Sequence, residues 1–203
     1  MQIDQDIMNF FEMWNSAEFE QSVLREGKII ISGMGGSGIG GQILSSISDS
    51  EGFANITYWN NYNLPKWANE DCLVICVSYS GNTAETLSAA KNALDLGCNL
   101  EVITTGGKLK KIAEENNLHV TNIEKGHQPR AALPLLLKAL VSRVGLPSMD
   151  QEIKEIGELK LPTSKAKSIA SQIKGTIPCI YSSDLMNPVA YRWRCQIQEN
   201  AKQ

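Results

Sequence analysis

Ile29-Ile30-Ile31-Ser32-Gly33-Met34-Gly35-Gly36-Ser37-Gly38 decides the reading of this chain. A β-branched apolar run reads as a buried strand, the glycines as a tight turn, and residues 42–47, apolar on one side, as a helix. At such a helix start the first backbone N–H groups lack intrahelical acceptors, the helix end carries partial positive charge, and glycine lets a ligand approach the main chain. Gly36 and Ser37 are the candidate donors, one through its amide and one through its hydroxyl. The bland alternative is a structural turn with no ligand. Gly33, Gly35 and Gly38 also satisfy the dinucleotide fingerprint, but the acidic residue that should close the second strand is missing, because residues 56–64 end in Trp-Asn-Asn-Tyr-Asn-Leu and Glu51 precedes them. A P-loop fails too, since no Lys-Ser or Lys-Thr follows Gly38.

The pattern returns at Val77-Ser78-Tyr79-Ser80-Gly81-Asn82-Thr83, again between an apolar strand and a helix. Ser78, Ser80 and Thr83 supply neutral hydroxyl donors, which suit a phosphate bound without a lysine. Taken in isolation, Ser80 or Thr83 as a plain helix cap explains the segment equally well. The pair is more informative than either turn, because ligands of open parallel sheets bind beyond the carboxyl ends of the strands at a topological switch point.

Working outward, residues 5–25 carry apolar positions at helical spacing and predict a lead-in helix or helix pair. Strands are expected at residues 28–32, 56–62, 73–79, 100–104 and 119–123, alternating with helices at 83–96, 108–116 and 131–144. Uniformly apolar strands such as Leu73-Val74-Ile75-Cys76-Val77 demand cover on both faces, so the fold class is α/β, a three-layer doubly wound parallel sheet. Residues 147–163 are rich in charge, end in Leu-Pro-Thr and read as a linker, leaving 1–146 as the first domain. Residues 164–203 then begin a second α/β unit, with a helix at 164–174, a strand at 177–182 and a helix at 189–202. A lone strand with two helices cannot bury its own faces.

With 203 residues and a formal net charge of -3, the chain has a core of useful size and no broad positive field for nucleic acid or an anionic membrane. Five cysteines without paired doublets suggest small buried apolar residues in a reducing compartment and give no metal site. The acidic N-terminus lacks the basic start of a signal peptide, and no apolar run reaches bilayer length. These features predict a cytoplasmic protein.

Gly33-Met34-Gly35-Gly36-Ser37-Gly38-Ile39-Gly40-Gly41 and Val77-Ser78-Tyr79-Ser80-Gly81-Asn82-Thr83-Ala84-Glu85-Thr86-Leu87 resemble the paired signatures of the sugar isomerase (SIS) domain, a flavodoxin-like fold. Their wording is most similar to the bifunctional phosphoglucose/phosphomannose isomerases. The resemblance implies a homodimer of two-SIS chains that interconverts glucose 6-phosphate or mannose 6-phosphate with fructose 6-phosphate, in glycolysis and gluconeogenesis, without cofactor or metal. It makes Ser37, Ser78, Ser80 and Thr83 the phosphate hydroxyls. Pro129-Arg130-Ala131 and Glu199-Asn200-Ala201-Lys202 resemble two further family elements, with Glu199 as base and Arg130 as the positive partner of an enediolate. Read without the family, Glu199 and Lys202 form an ordinary exposed i, i+3 pair, Arg130 is a surface residue, and His127 is a loop residue rather than a ring-opening acid. The family's later histidine and C-terminal lysine have no counterpart here, so the short chain is expected to bind sugar phosphates and to isomerise them poorly. A non-catalytic SIS module that senses a phosphosugar is the alternative.

Overall fold

A computed structural model of the chain describes residues 2–52, 54–129, 131–146, 150–157 and 163–201. Its contacts divide the chain into two compact units, Met1–Ser148 and Met149–Gln203.

The first unit is built on five strands, β1 (Lys28–Gly33), β2 (Asn55–Trp59), β3 (Leu73–Ser78), β4 (Asn99–Thr104) and β5 (His119–Asn122). They pair in parallel throughout, in the order β2-β1-β3-β4-β5. The chain steps one way from β1 to β2 and the other way to β3, so the switch point of the sheet lies between β1 and β3. Five helices accompany the strands: α1 (Gln2–Ser16), α2 (Gly35–Glu51), α3 (Ala84–Asp95), α4 (Gly107–Glu115) and α5 (Leu133–Val144).

The apolar runs follow from cover on both faces. Ile30, Val74, Cys76 and Val102 pack on one side with Ala89, Ala90 and Ala93 of α3 and Leu109 and Ala113 of α4. On the other, α2 lies against β1 and α5. A Cβ at Gly41 would stand 2.6 Å from Ile31 Cγ2 and one at Gly40 2.8 Å from Leu140 Cδ1, so the small residues of α2 set how closely it seats. Burial also raises the Cys76 thiol to about 12 and keeps it neutral.

Two expectations change in the structure. The lead-in helix stops at Ser16, and residues 17–26 run without regular structure. Their polar groups go to the C-terminal end of α5: Ser22 N donates to Ser142 O (2.9 Å), Arg25 N to Val144 O (3.0 Å) and Gln21 Nε2 to Leu146 O (3.0 Å). Carbonyls there lack intrahelical donors, which makes a strap a better use of the segment than another helix. Arg25 and Arg143 then both grip Glu101 of β4, at 2.9 Å and 2.8 Å.

The second unit holds α6 (Asp150–Gly157), α7 (Thr163–Ile173) and α8 (Asn187–Gln196), continued by a π-helical turn, Ile197–Ala201. The strand expected at 177–182 is not formed; the segment has no ladder, with Ile177 93% and Tyr181 91% exposed. A strand needs a neighbour to bond, and among the described residues of this unit there is none. Cys72, Cys76 and Cys98 are buried as expected, whereas Cys179 is exposed on that unpaired segment. No helix among the described residues is long and apolar enough to cross a membrane.

Candidate functional site

The turns after β1 and β3 stand side by side because these strands are neighbours, with Gly33 opposite Val77 in register. Met34, in extended conformation, precedes α2 without a side-chain cap. Ser37 N and Gly38 N donate back to Met34 O at 3.0 and 3.2 Å, so the amides of Gly35 and Gly36 come before those the helix itself uses. Gly36 is part-exposed. Gly38 is required for packing: a Cβ there would stand 2.6 Å from Gly33 O and 2.5 Å from Tyr58 Oη.

The serine turn is built from its own hydroxyls. Ser78 Oγ, buried, accepts from Gly81 N at 3.1 Å and shares a 2.9 Å hydrogen bond with Thr83 Oγ1. Ser80 is exposed, and its Oγ accepts from Asn82 N at 3.3 Å. Gly81 holds φ +67, and a Cβ there would fall on the carbonyl of Gly106. Asn82 Oδ1 and Gly81 O accept the first amides of α4, from Lys108 (3.1 Å) and Leu109 (2.9 Å). Thr83 then opens α3, with Glu85 in its first turn.

The two turns are physically joined. Ser37 Oγ, on a side chain 8% exposed, accepts from Tyr79 N at 3.0 Å. A hydroxyl that accepts still has its proton to donate. Two helix N-termini, the amide of Gly36 and the hydroxyls of Ser37, Ser80 and Thr83 therefore follow the carboxyl ends of the neighbouring strands β1 and β3. This is a small neutral donor cluster suited to a tetrahedral oxyanion.

Not every expected residue is brought to this place. Arg130 and Lys202 lie outside the described residues. Glu199 belongs to the second unit, exposed on the π-helical turn that follows α8. Such turns within helices are frequent at functional positions. About two helical turns back, burial lowers the Arg192 guanidinium from its usual value, with nearby Cys195 and Glu199 acting the other way. No group of three His, Cys, Asp or Glu side chains among the described residues is placed to hold a metal ion.

Several contacts around the serine turn escaped the sequence reading. Tyr79 Oη donates to Glu124 O (3.0 Å) and accepts from His127 N (2.9 Å), tying the segment after β5 to the serine turn. Thr105 Oγ1 donates to Tyr79 O at 2.7 Å. Lys125 Nζ lies 3.7 Å from where a Cβ on Gly106 would stand, and Gly106 abuts Gly81. The local signal was slight, an aromatic residue set between two serines.

Comparisons with known proteins bear on the family and the fold. A family model for the bacterial phospho-glucose isomerase C-terminal SIS domain matches residues 163–203. The bifunctional phosphoglucose/phosphomannose isomerase of Aquifex aeolicus is 38% identical over 180 residues, covering 86% of this chain and 56% of its own length. The chain thus spans little more than half of that relative. The protein of the same name from Pyrobaculum aerophilum is 31% identical over 99% of this chain and 68% of its own. Among solved structures, the C-terminal domain of glucosamine-fructose-6-phosphate aminotransferase from Francisella tularensis superposes with a TM-score of 0.60 at 15% identity, over 98% of this chain and 64% of that one, and speaks for the fold. Taken with the two SIS signatures that meet at the switch point of the sheet, these similarities show that the chain belongs to the bifunctional phosphoglucose/phosphomannose isomerase family.

Proposed function

We propose that the first unit binds the phosphoryl group of a hexose 6-phosphate between the turns at 33–38 and 78–83, with Gly36, Ser37, Ser78, Ser80 and Thr83 around it. Ser78 acts mainly by shaping its turn, through its bonds to Gly81 and Thr83. The observation that carries this reading is the 3.0 Å bond from Tyr79 N to Ser37 Oγ, which makes one donor cluster of two strand ends.

In the intact enzyme this anchor would serve an aldose–ketose isomerisation. Glu199 takes the proton from C2 of the open-chain aldose while O1 gains a proton, giving an enediol(ate). Return of the proton to C1, with loss of that on O2, gives the ketose. Arg130, permanently charged, is the proposed partner of the developing negative oxygen. The names of the relatives support a phosphoglucose and a phosphomannose as the aldoses; in this reading they are the 6-phosphates, and fructose 6-phosphate is the ketose. The same reading takes the protein as a cytoplasmic homodimer in glycolysis and gluconeogenesis. It treats residues 1–146 as the first SIS domain, 147–163 as a linker and 164–203 as the beginning of a second.

Calorimetric titration with glucose 6-phosphate and with glucose tests the anchor. Ser80→Leu is expected to remove measurable binding of the phosphosugar and to leave glucose equally weak. Unchanged affinity for glucose 6-phosphate in that variant would overturn the site. Exchange of the C2 proton into solvent, with Glu199→Gln as control, tests the chemistry.

A further inference from the structure

Tyr79 is bonded to three different strand-end segments besides its own. Its amide donates to Ser37 Oγ after β1 (3.0 Å), and its carbonyl accepts from Thr105 Oγ1 after β4 (2.7 Å). Its phenol donates to Glu124 O and accepts from His127 N after β5, at 3.0 and 2.9 Å. The phenol oxygen has one proton to donate, and here it bonds two backbone groups of one short segment. The ring itself is buried, 8% exposed, while Glu124 and Lys125 are exposed. Core packing alone therefore explains the ring and leaves the hydroxyl without a purpose. What the hydroxyl does is hold an otherwise exposed segment at a fixed height over the sheet.

The segment carries a cation. Lys125 Nζ stands 3.7 Å from the position a Cβ would take on Gly106, and Gly106 is in contact with Gly81 of the serine turn. A cluster of neutral donors holds a phosphate better with one ammonium at its rim, where charge-assisted bonds are roughly twice as strong as neutral ones. No salt bridge to Lys125 occurs among the described residues. We propose that Tyr79 is a positioning residue whose hydroxyl holds residues 124–127 against the serine turn, so that Lys125 supplies the positive charge for the bound phosphoryl group.

This inference rests on the phosphate site proposed above and deepens it. The test is a double-mutant cycle read by calorimetric titration of the whole chain with glucose 6-phosphate. Lys125→Gln and Tyr79→Phe are each expected to weaken binding about tenfold, the loss of one charge-assisted hydrogen bond. The double variant should be no weaker than Lys125→Gln by itself, because Tyr79 acts through the lysine. Hydrogen exchange at the His127 amide should quicken in Tyr79→Phe while the melting temperature stays within a few degrees of wild type. Losses that multiply in the double variant, or full affinity in Lys125→Gln, overturn the proposal. A Tyr79→Phe protein that unfolds early and exchanges quickly everywhere overturns it as well, since the hydroxyl would then serve stability. Failure of the underlying site is distinguished by the wild-type chain, which would then bind no glucose 6-phosphate at all.

Discussion

The two ends of the sheet in the first unit are made of opposite materials. At the carboxyl ends of β1 and β3 the polar groups are neutral and held by one another: Ser37 with Tyr79, Ser78 with Thr83. Toward the start of β4, Glu101 is 4% exposed and gripped by Arg143 through two bonds of 2.8 and 2.9 Å, with Arg25 adding a third of 2.9 Å. A buried carboxylate with fixed partners fastens the strap at 17–26 and α5 onto the sheet, and it offers a ligand nothing. Neutral hydroxyls at strand ends contribute less to stability than a buried ion pair does, and each keeps a proton to donate. Substitutions at the first place should therefore disturb binding more than folding, and at the second the reverse.

The largest expected effect is on the ion pair. Arg143→Met leaves Glu101 buried with a single partner and should cost about 3 to 5 kcal/mol in chemical denaturation, with affinity for glucose 6-phosphate unchanged wherever the protein is folded. The double variant Glu101→Met/Arg143→Met should recover part of that loss, since no uncompensated carboxylate then remains. Weaker phosphosugar binding in the folded Arg143→Met protein would break the contrast. Gly81→Ala comes next. Its Cβ falls on the carbonyl of Gly106 and its φ of +67 suits glycine, so the turn must shift. Binding should fall on the order of 100-fold, with about 2 kcal/mol of stability lost.

Ser37→Ala should act more gently. Tyr79 N loses its acceptor and the phosphate one donor, which predicts roughly tenfold weaker binding and about 1 kcal/mol of stability. The smallest effect belongs to Cys76, whose thiol is raised from 9.0 to about 12 by burial. A folded value above the unfolded one means that its contribution is complete below pH 9.0 and is lost as pH climbs towards 12. Wild type should therefore lose stability relative to Cys76→Ala over that window. At pH 8, a thiol reagent should modify exposed Cys179 and spare Cys76 until the chain unfolds.

The same contrast explains what the sequence disclosed. Both glycine and hydroxyl turns were legible because their chemistry is local, with strand, turn and helix start contiguous within ten residues. The fold class was legible, since five apolar runs with helices between them leave few alternatives to a doubly wound sheet, while the strand order came only with the structure. The role of Glu101 was not legible, because its partners are 42 and 76 residues away. The strap misled by its spacing: Val23 and Leu24 fit a helical stripe, yet they are 79% and 47% exposed while their backbone serves the end of α5. Residues 177–182 had the composition of a strand, but a strand is a property of its neighbours. The role of Tyr79 depends on three loops that only the sheet brings together.

The central claim is that both turns close on one phosphoryl group, and backbone amide shifts during titration with glucose 6-phosphate measure it most directly. The account predicts that Gly36, Ser37, Ser80 and Thr83 move together with one midpoint, and that glucose moves none of them. If the signals after β1 and those after β3 follow different midpoints, or one set stays still, the account is contradicted.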